Sequence, residues 1–278
     1  MSTDVDVRAA SGSRADFGSP PGLGATLASE WTKFASLRSV RVTLLLGTVL
    51  GIGSTALLGW AVLATWQEWP AAERASFSPV ETSLIGTILT GTLFSVLGVT
   101  AVSSEYSSRM AALTFTATPR RERVLLAKIV VVAAVTFVAT LVAVAGMVLV
   151  ARIMFAGYDL PTASTGRILR IIVGVAAGAP LFPVIGVALT FVLRSAAGSV
   201  AALLGLLFGP YVLAPFLPHW WEDHGQKYLP GAASDSLTLP PLADSPDQLS
   251  TWLAALVLAG WLAAFLGVAL FVLDRRDV

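Results

Sequence analysis

The chain has 278 residues, of which 55% are hydrophobic and only 13% are charged, and its mean hydropathy is +0.78. Soluble domains carry about 25% charged residues, so this composition disfavours a water-soluble globular protein. The net charge of +1 argues against a nucleic-acid partner, and the lack of cysteine excludes disulfides, zinc–thiolate sites and thiol catalysis.

The first 24 residues differ in composition from the rest of the chain. Residues 1–24 are polar and rich in Gly, Ser and Pro, and the first apolar run after them is too long for the core of a cleavable signal peptide. We therefore predict a disordered cytoplasmic tail over residues 1–24 and a single transmembrane domain over residues 25–278.

Apolar side chains recur on one face of a helix across residues 25–40. They are Leu27, Trp31, Phe34 and Leu37. This spacing predicts an amphipathic helix that lies on the membrane surface, with Glu30 and Lys33 off the centre of its apolar stripe. The stripe ends at Arg38, where we expect the chain to turn into the bilayer.

Six stretches of at least 23 residues contain no Asp, Glu, Lys or Arg. They are 42–67, 82–104, 129–151, 171–193, 195–221 and 248–273. Because about 20 apolar residues in a helix cross the hydrocarbon core, each stretch is long enough to span a membrane. We predict an all-α membrane protein with six transmembrane helices. The predicted spans are about 42–65, 82–104, 124–151, 169–193, 196–217 and 249–273.

Small residues and prolines lie inside several predicted spans. Gly-x-x-x-Gly spacing occurs at Gly47/Gly51, Gly174/Gly178 and Gly205/Gly209, which we interpret as packing within the bundle rather than dimerisation. Prolines at 180 and 183 in span four, and at 210 and 215 in span five, predict kinks whose effect on motion stays open.

The loop at 103–123, between spans two and three, contains a short amphipathic segment. Tyr106, Met110 and Leu113 share one helical face. Thr118 followed by Pro119 is typical of a helix start. Three arginines follow, which we interpret as a topology anchor that contacts lipid headgroups. They are Arg120, Arg121 and Arg123.

The loop at 218–248, between spans five and six, is the longest external segment. Its Trp220 and Trp221 favour a half-immersed interfacial helix. A metal site could be drawn from His219, Glu222, Asp223 and His224, but the spacing is irregular, so we predict no metal.

The positive charges are unevenly divided between the two sides of the predicted bundle. With the N-terminus inside, 13 of the 18 lysines and arginines fall on the cytoplasmic side. The positive-inside rule therefore predicts that both termini are cytoplasmic.

Motifs for several kinds of chemistry are missing from the sequence. None of the three lysines, Lys33, Lys128 and Lys227, belongs to a P-loop, and no G-x-S-x-G or H-E-x-x-H motif occurs. No charged residue lies at the centre of a span, which disfavours an ATP-independent carrier driven by ion coupling. We therefore expect no enzymatic activity in this chain.

The order of short motifs around the six spans resembles the permeases of ABC transporters of the type-2 exporter class. The matching segments are Leu27-Ala-Ser-Glu-Trp-Thr-Lys before span one, Ser104-Glu-Tyr-Ser-Ser-Arg with Thr118-Pro-Arg after span two, and Leu273-Asp-Arg-Arg-Asp at the end. The resemblance implies a permease that dimerises, as a homodimer or with a paralogue, and binds two copies of a separate ATPase that carries ATP and Mg²⁺. It also implies the plasma membrane of a bacterium.

The resemblance also implies roles for two helices. The connecting helix would be residues 25–40, with Glu30, Trp31, Lys33, Phe34 and Arg38. The coupling helix would be about residues 105–113. In it, Glu105 and Arg109 would make polar contacts to the ATPase, while Tyr106, Met110 and Leu113 would pack into a groove on it.

Two functions from different classes remain open on the sequence. One is the permease subunit of an ATP-driven exporter of a hydrophobic or amphipathic substrate. The alternative is a non-transporting membrane scaffold or sensor in an immunity or signalling complex. That alternative explains the six spans equally well, but it explains the apolar stripe of the loop helix less naturally.

Overall fold

The computed structural model describes residues 22–107, 121–158, 160, 163–238 and 248–275. Within these ranges the regular structure is helical and contains no strand, which confirms the predicted all-α class. The α-helices of the described ranges are α1 (Leu23–Ser36), α2 (Arg38–Thr65), α3 (Ala71–Ser76), α4 (Pro79–Ser83), α5 (Gly86–Ser95), α6 (Leu97–Ser107), α7 (Arg121–Met154), α8 (Thr165–Gly178), α9 (Leu181–Leu193), α10 (Ala196–Leu213), α11 (His219–His224), α12 (Pro230–Thr238) and α13 (Thr251–Arg275).

Six helical segments of the described ranges are long and apolar enough to cross a membrane, as predicted. In chain order, spans one to six are Arg38–Glu68, Pro79–Glu105, Glu122–Met154, Thr165–Leu193, Ala196–Phe216 and Thr251–Leu273. They are helices because a backbone in lipid must satisfy its own hydrogen bonds.

Spans two and four are each built from more than one helix. In span two, α5 ends before Val96 and α6 begins after it. The N–H of Val96 donates to the carbonyl oxygen of Leu93, three residues back, at 3.3 Å, whereas an α-helical bond would reach four residues back. In span four, α8 gives way to α9 at Ala179 and Pro180, because proline has no N–H to donate. Pro210 lies inside α10.

A two-residue turn joins spans four and five. Arg194 ends α9 with a positive φ of 51°, and Ser195 caps α10 by accepting a hydrogen bond from the N–H of Gly198 at 3.2 Å. The left-handed residue and the cap together reverse the chain direction, so spans four and five pack side by side.

Small residues bring span one against span two. The hydroxyl of Thr90 donates to the carbonyl oxygen of Gly47 at 2.8 Å, and that of Thr55 donates to the carbonyl of Ser83 at 2.9 Å. A Cβ added at Gly51 would clash with Thr90. The Gly47/Gly51 pair therefore packs inside the bundle, as the sequence predicted.

The helix α1 packs across the start of α7 at one end of the bundle, which we call the α1 end. At the opposite end, five aromatic side chains from the ends of spans one and three and the segment between spans one and two pack edge to face. They are Trp66, Trp69, Phe77, Phe155 and Tyr158. The α1 end instead gathers charged side chains.

The short helix α12 fits between α8 and α13. Gly174 and Gly178 leave room for it, since a Cβ on Gly178 would collide with Ser234. The indole N–H of Trp261 donates to the carbonyl oxygen of Tyr228 at 2.9 Å. Trp261 lies ten residues into α13, about 15 Å along its axis, so the segment before α12 dips into the bundle from the opposite end.

Candidate functional site

Four ionisable side chains from three helices meet at the α1 end. Glu30 and Lys33 lie on α1, Glu105 lies near the end of α6, and Lys128 lies two turns into α7. We call these four residues the charged cluster. Its two ammonium groups and two carboxylates balance, so the cluster carries no net charge.

Lys128 is the most connected member of the cluster. Its ammonium donates to Oε2 of Glu30 at 2.6 Å, to Oε1 of Glu105 at 3.1 Å and to the carbonyl oxygen of Ala101 at 3.4 Å. These contacts use all three donors of the ammonium. Lys128 is only 3% exposed, and such complete pairing is what allows a lysine to be buried.

Lys33 extends the cluster toward solvent. Its ammonium donates to Oε1 of Glu30 at 2.7 Å and to Oε1 of Glu105 at 3.3 Å. One oxygen of Glu105 therefore receives hydrogen bonds from both lysines, and both oxygens of Glu30 are occupied. Removing any one member would leave the other three with an unbalanced charge.

The pKa values of two members follow from this pairing. Burial alone would raise the pKa of the Glu30 carboxyl, but Lys128 and Lys33 outweigh burial and hold that pKa below its usual value. Burial would lower the pKa of the Lys33 ammonium, but Glu30 and Glu105 hold it above its usual value. Both groups are therefore charged at neutral pH.

Helical spacing explains why these side chains converge. Glu30 and Lys33 are three residues apart on α1, so they share a face. Ala101 and Glu105 are four residues apart on α6, so the carbonyl of one and the carboxylate of the other both face Lys128. The cluster thus joins the surface helix to the two helices that flank residues 108–120.

A cavity of about 270 Å³ adjoins the cluster. Ser36 and Ser104 line it together with the apolar side chains of Phe34, Leu37 and Val131. Among the described residues no group of three or more possible metal ligands occurs, and the charges beside the cavity pair with one another. The ion pairs of the charged cluster therefore tie three helices together beside this cavity.

The buried face of α1 differs from the apolar stripe that the sequence predicts for this surface helix. Phe34 is buried as expected, but Trp31 is 53% exposed, and Glu30 points inward at 3% exposure. The acid takes the inward position because Lys128 and Lys33 neutralise it there. Arg38 starts α2 and is exposed.

Most of the predicted coupling and anchor residues lie outside the described ranges. Of the coupling residues, Glu105 joins the charged cluster, and Tyr106 belongs to α6 with a side chain that is not described. Arg109, Met110 and Leu113 fall in the undescribed segment. The same holds for the anchor residues Pro119 and Arg120 and for the side chain of Arg121, while Arg123 is half-buried on α7.

Lys128 is the functional candidate that the sequence analysis missed. The sequence assigns it no role beyond its positive charge, yet it shares a helix face with the buried residues Val124, Val131 and Val132. A lysine on a buried apolar face needs a buried acid. That pattern was the available signal for a partner such as Glu30.

The possible metal ligands between spans five and six stay untested. The His224 ring contacts the carbonyl oxygen of Trp220 at 3.1 Å, within its own helix α11. The side chains of Glu222 and Asp223 lie outside the described parts of the chain.

Comparison with known proteins gives a family match. The model of a family described as "ABC-2 family transporter protein" matches residues 24–278. No curated protein and no solved structure matches the chain. The family match covers all six spans and the charged cluster.

Proposed function

The chain belongs to the ABC-2 family of transporter proteins, and from this premise we propose that it is the permease subunit of an ATP-driven exporter. Membership makes it a multi-pass transmembrane transport subunit. The 278 residues contain no P-loop, so the energy comes from a separate ABC ATPase that binds ATP and Mg²⁺. The chain itself contributes no cofactor and no catalytic residue.

The position of the charged cluster is the observation that carries this proposal. It lies at the end of α6 and near the start of α7, beside the coupling segment of about residues 105–113 that we assign to the docking of the ATPase. Tyr106, Met110 and Leu113 pack into a groove of the ATPase, and Arg109 makes polar contacts. Glu105 is engaged within the chain, so we assign it to holding the base of this segment.

The α1 end is then the cytoplasmic end of the bundle. Trp31 lies at the membrane interface, and Arg38 marks the turn into the bilayer. The anchor residues Pro119, Arg120, Arg121 and Arg123 lie at the cytoplasmic headgroups. Both termini are cytoplasmic, and the membrane is the plasma membrane of a bacterium.

The complete transporter contains two permease chains and two ATPase subunits. The second permease is a copy of this chain or a paralogue. The exported compound is hydrophobic or amphipathic, because the spans offer mostly apolar side chains and no central charge.

Co-purification with the ATPase tests the docking proposal. The double substitution Tyr106→Glu with Met110→Glu places charges on the apolar docking face. We expect the ATPase to be lost from the purified permease, and ATP-dependent transport in vesicles to be abolished. If the variant retained the ATPase at normal stoichiometry and activity, the docking assignment would be wrong.

The matched control adds the same charge at the opposite end. Ala72→Glu with Ala75→Glu changes two exposed residues of α3, and we expect normal docking. A wild-type complex that binds the ATPase but moves no compound would favour the scaffold or sensor alternative.

A further inference from the structure

The short helix α12 carries a carboxylate to the depth of the membrane spans. A Cβ on Gly178 would collide with Ser234. A Cβ on Gly174 would lie 2.8 Å from the carbonyl oxygen of Leu237. Gly174 and Gly178 lie nine and 13 residues into span four, about 14 and 20 Å along its axis. Asp235 lies between Ser234 and Leu237 on α12, so it lies within the thickness of a hydrocarbon core of about 30 Å.

The side chain of Asp235 faces span five. Gly231 and Asp235 are four residues apart on α12, so they share a helix face. A Cβ on Gly231 would lie 3.1 Å from the hydroxyl oxygen of Tyr211, which is on α10, five residues before the end of span five. The Asp235 carboxylate is close enough to this hydroxyl to interact with it electrostatically. An acidic and an aromatic side chain therefore meet between span five and α12.

The carboxylate of Asp235 has no hydrogen bond or ion pair to any other residue in the described ranges. The loss of surrounding water raises the pKa of this carboxyl, and no positive charge in those ranges opposes the rise. The buried carboxylate of Glu30, by contrast, pairs with two lysines. Ionisable side chains at membrane depth are costly, and they commonly mark the path of a substrate or an ion. Asp235 therefore lacks a cation that a bound ligand would supply.

The surface beside Asp235 is open and mostly apolar. The cavity between span five and α12 has a volume of only about 10 Å³, room for at most a single water molecule. Outside it, Asp235 is exposed, Tyr211 is 54% exposed, and Phe208, one helical turn away, is 40% exposed. An aromatic ring attracts a cation through its face. The unpaired carboxylate, the two rings and the apolar surface together match a lipophilic cation.

We propose that Asp235 and Tyr211 form a binding site for the cationic group of a lipophilic compound, at the depth of the spans and toward the end opposite α1. The carboxylate neutralises the cation, the tyrosine ring packs against it, and the apolar part of the compound lies along span five. The inference rests on the proposed function, since it makes the exported compound a lipophilic cation. The composition of the spans does not indicate this, because α12 carries the carboxylate.

Binding of tetraphenylphosphonium, a lipophilic cation, tests the site. Equilibrium dialysis measures its binding to the permease–ATPase complex in lipid nanodiscs, with binding to empty nanodiscs subtracted. We expect saturable binding to the wild type. Asp235→Asn keeps the size of the side chain but removes its charge, so we expect the dissociation constant to rise by about tenfold or more. Tetraphenylborate, an anion of similar shape, should not compete for the site.

Two further variants separate the charge of Asp235 from a general effect on the protein. Asp235→Glu keeps the carboxylate and should bind the cation nearly as well as the wild type. Glu73→Gln removes a carboxylate from the exposed helix α3 at the same end of the bundle, and it should bind like the wild type. Equal dissociation constants for the wild type and Asp235→Asn, or no saturable binding to the wild type, would overturn the site.

The same samples distinguish the site from the proposed function and from a contact between chains. Failure of the wild-type permease to bind the ATPase would overturn the proposed function, and dialysis with the permease alone then decides whether the cation site exists. The mass of the permease in each nanodisc is also measured. If Asp235→Asn reduced it from two chains to one, the carboxylate would belong to a contact between chains, and the site would be overturned.

Discussion

Glu30 is a charged residue whose buried side chain has a structural role. Its carboxylate is 3% exposed and bridges two lysines from different helices. A buried ion pair adds little net stability over an apolar pair of the same shape, but breaking one costs about 3–5 kcal/mol, because the remaining charge stays buried. The residue therefore specifies how α1 is placed.

The lowered pKa of Glu30 predicts a pH-dependent effect of Glu30→Gln. A carboxyl whose pKa is lower in the folded protein contributes stability above its usual pKa and loses it as the pH falls through the folded value. At neutral pH we expect the variant to unfold at a lower temperature than the wild type. The gap should narrow as the pH falls through the lowered folded pKa of Glu30, because below that pKa both forms are uncharged at this position.

Thermal unfolding in nanodiscs across this pH range checks the prediction. Glu73→Gln, on the exposed helix α3, is the control and should follow the wild type at each pH. A gap between Glu30→Gln and the wild type that stayed constant down to the lowest pH would show that the carboxylate charge is not what stabilises α1.

At the scale of elements, the spans were predictable and their interruptions only partly so. Pro180 predicts the break in span four, since proline removes a backbone donor. The break at Val96 has a weaker local signal, since Ser95 precedes it and Gly98 follows it, but no proline is present. A Cβ on Gly98 would collide with the carbonyl oxygen of Pro183, so the break lies beside a backbone contact with span four, which is distant in sequence.

The segment before α12 is tied to α13 by a hydrogen bond from the indole of Trp261. Trp261→Phe keeps the aromatic ring against Phe265 but removes the hydrogen bond to the carbonyl oxygen of Tyr228. We expect a loss of about 0.5–1.5 kcal/mol in the local stability of this segment. Hydrogen exchange in residues 226–232 should rise accordingly.

Trp252→Phe on the same helix is the matched control, because this tryptophan is 66% exposed. It should leave exchange in residues 226–232 unchanged. Equal protection in both variants would mean that packing between α8 and α13, and not the indole hydrogen bond, holds the segment.

At the scale of the whole molecule, the spans differ in how much of them the chain itself covers. Spans two and four are the most buried, whereas spans one, five and six leave most of their apolar side chains exposed. A Cβ added at Gly205 or Gly209 on span five would meet no other described part of the chain within 4 Å, so this pair, unlike Gly47/Gly51, does not pack inside the bundle as predicted. The centre of the bundle is therefore the interrupted pair, and the outer spans face lipid or another protein.

The orientation of the bundle is testable because the chain contains no cysteine. We expect Ala72→Cys on α3 to react with a membrane-impermeant maleimide in intact cells. Ser29→Cys on α1 should react only after permeabilisation. Both positions are exposed, so accessibility to the reagent depends on the side of the membrane alone. The reverse labelling pattern would invert the assigned topology.

The six spans, the all-α class and the family were determined by the sequence alone. They depend on where charged residues are absent and on the order of short motifs, and both are properties of neighbouring residues. The Gly-x-x-x-Gly spacing in span one likewise predicted that Gly47 and Gly51 pack inside the bundle. The sequence also located the segment proposed to dock the ATPase, whose described part is the end of α6.

Only the tertiary structure decided which charges meet. Glu30 and Lys128 are 98 residues apart, and Lys33 and Glu105 are 72 apart, so no local pattern pairs them. The same holds for the backbone contact between Gly98 and Pro183. The physical reason is that helical periodicity sets which face of a helix a residue occupies, whereas the choice of partner face depends on how all the helices pack at once.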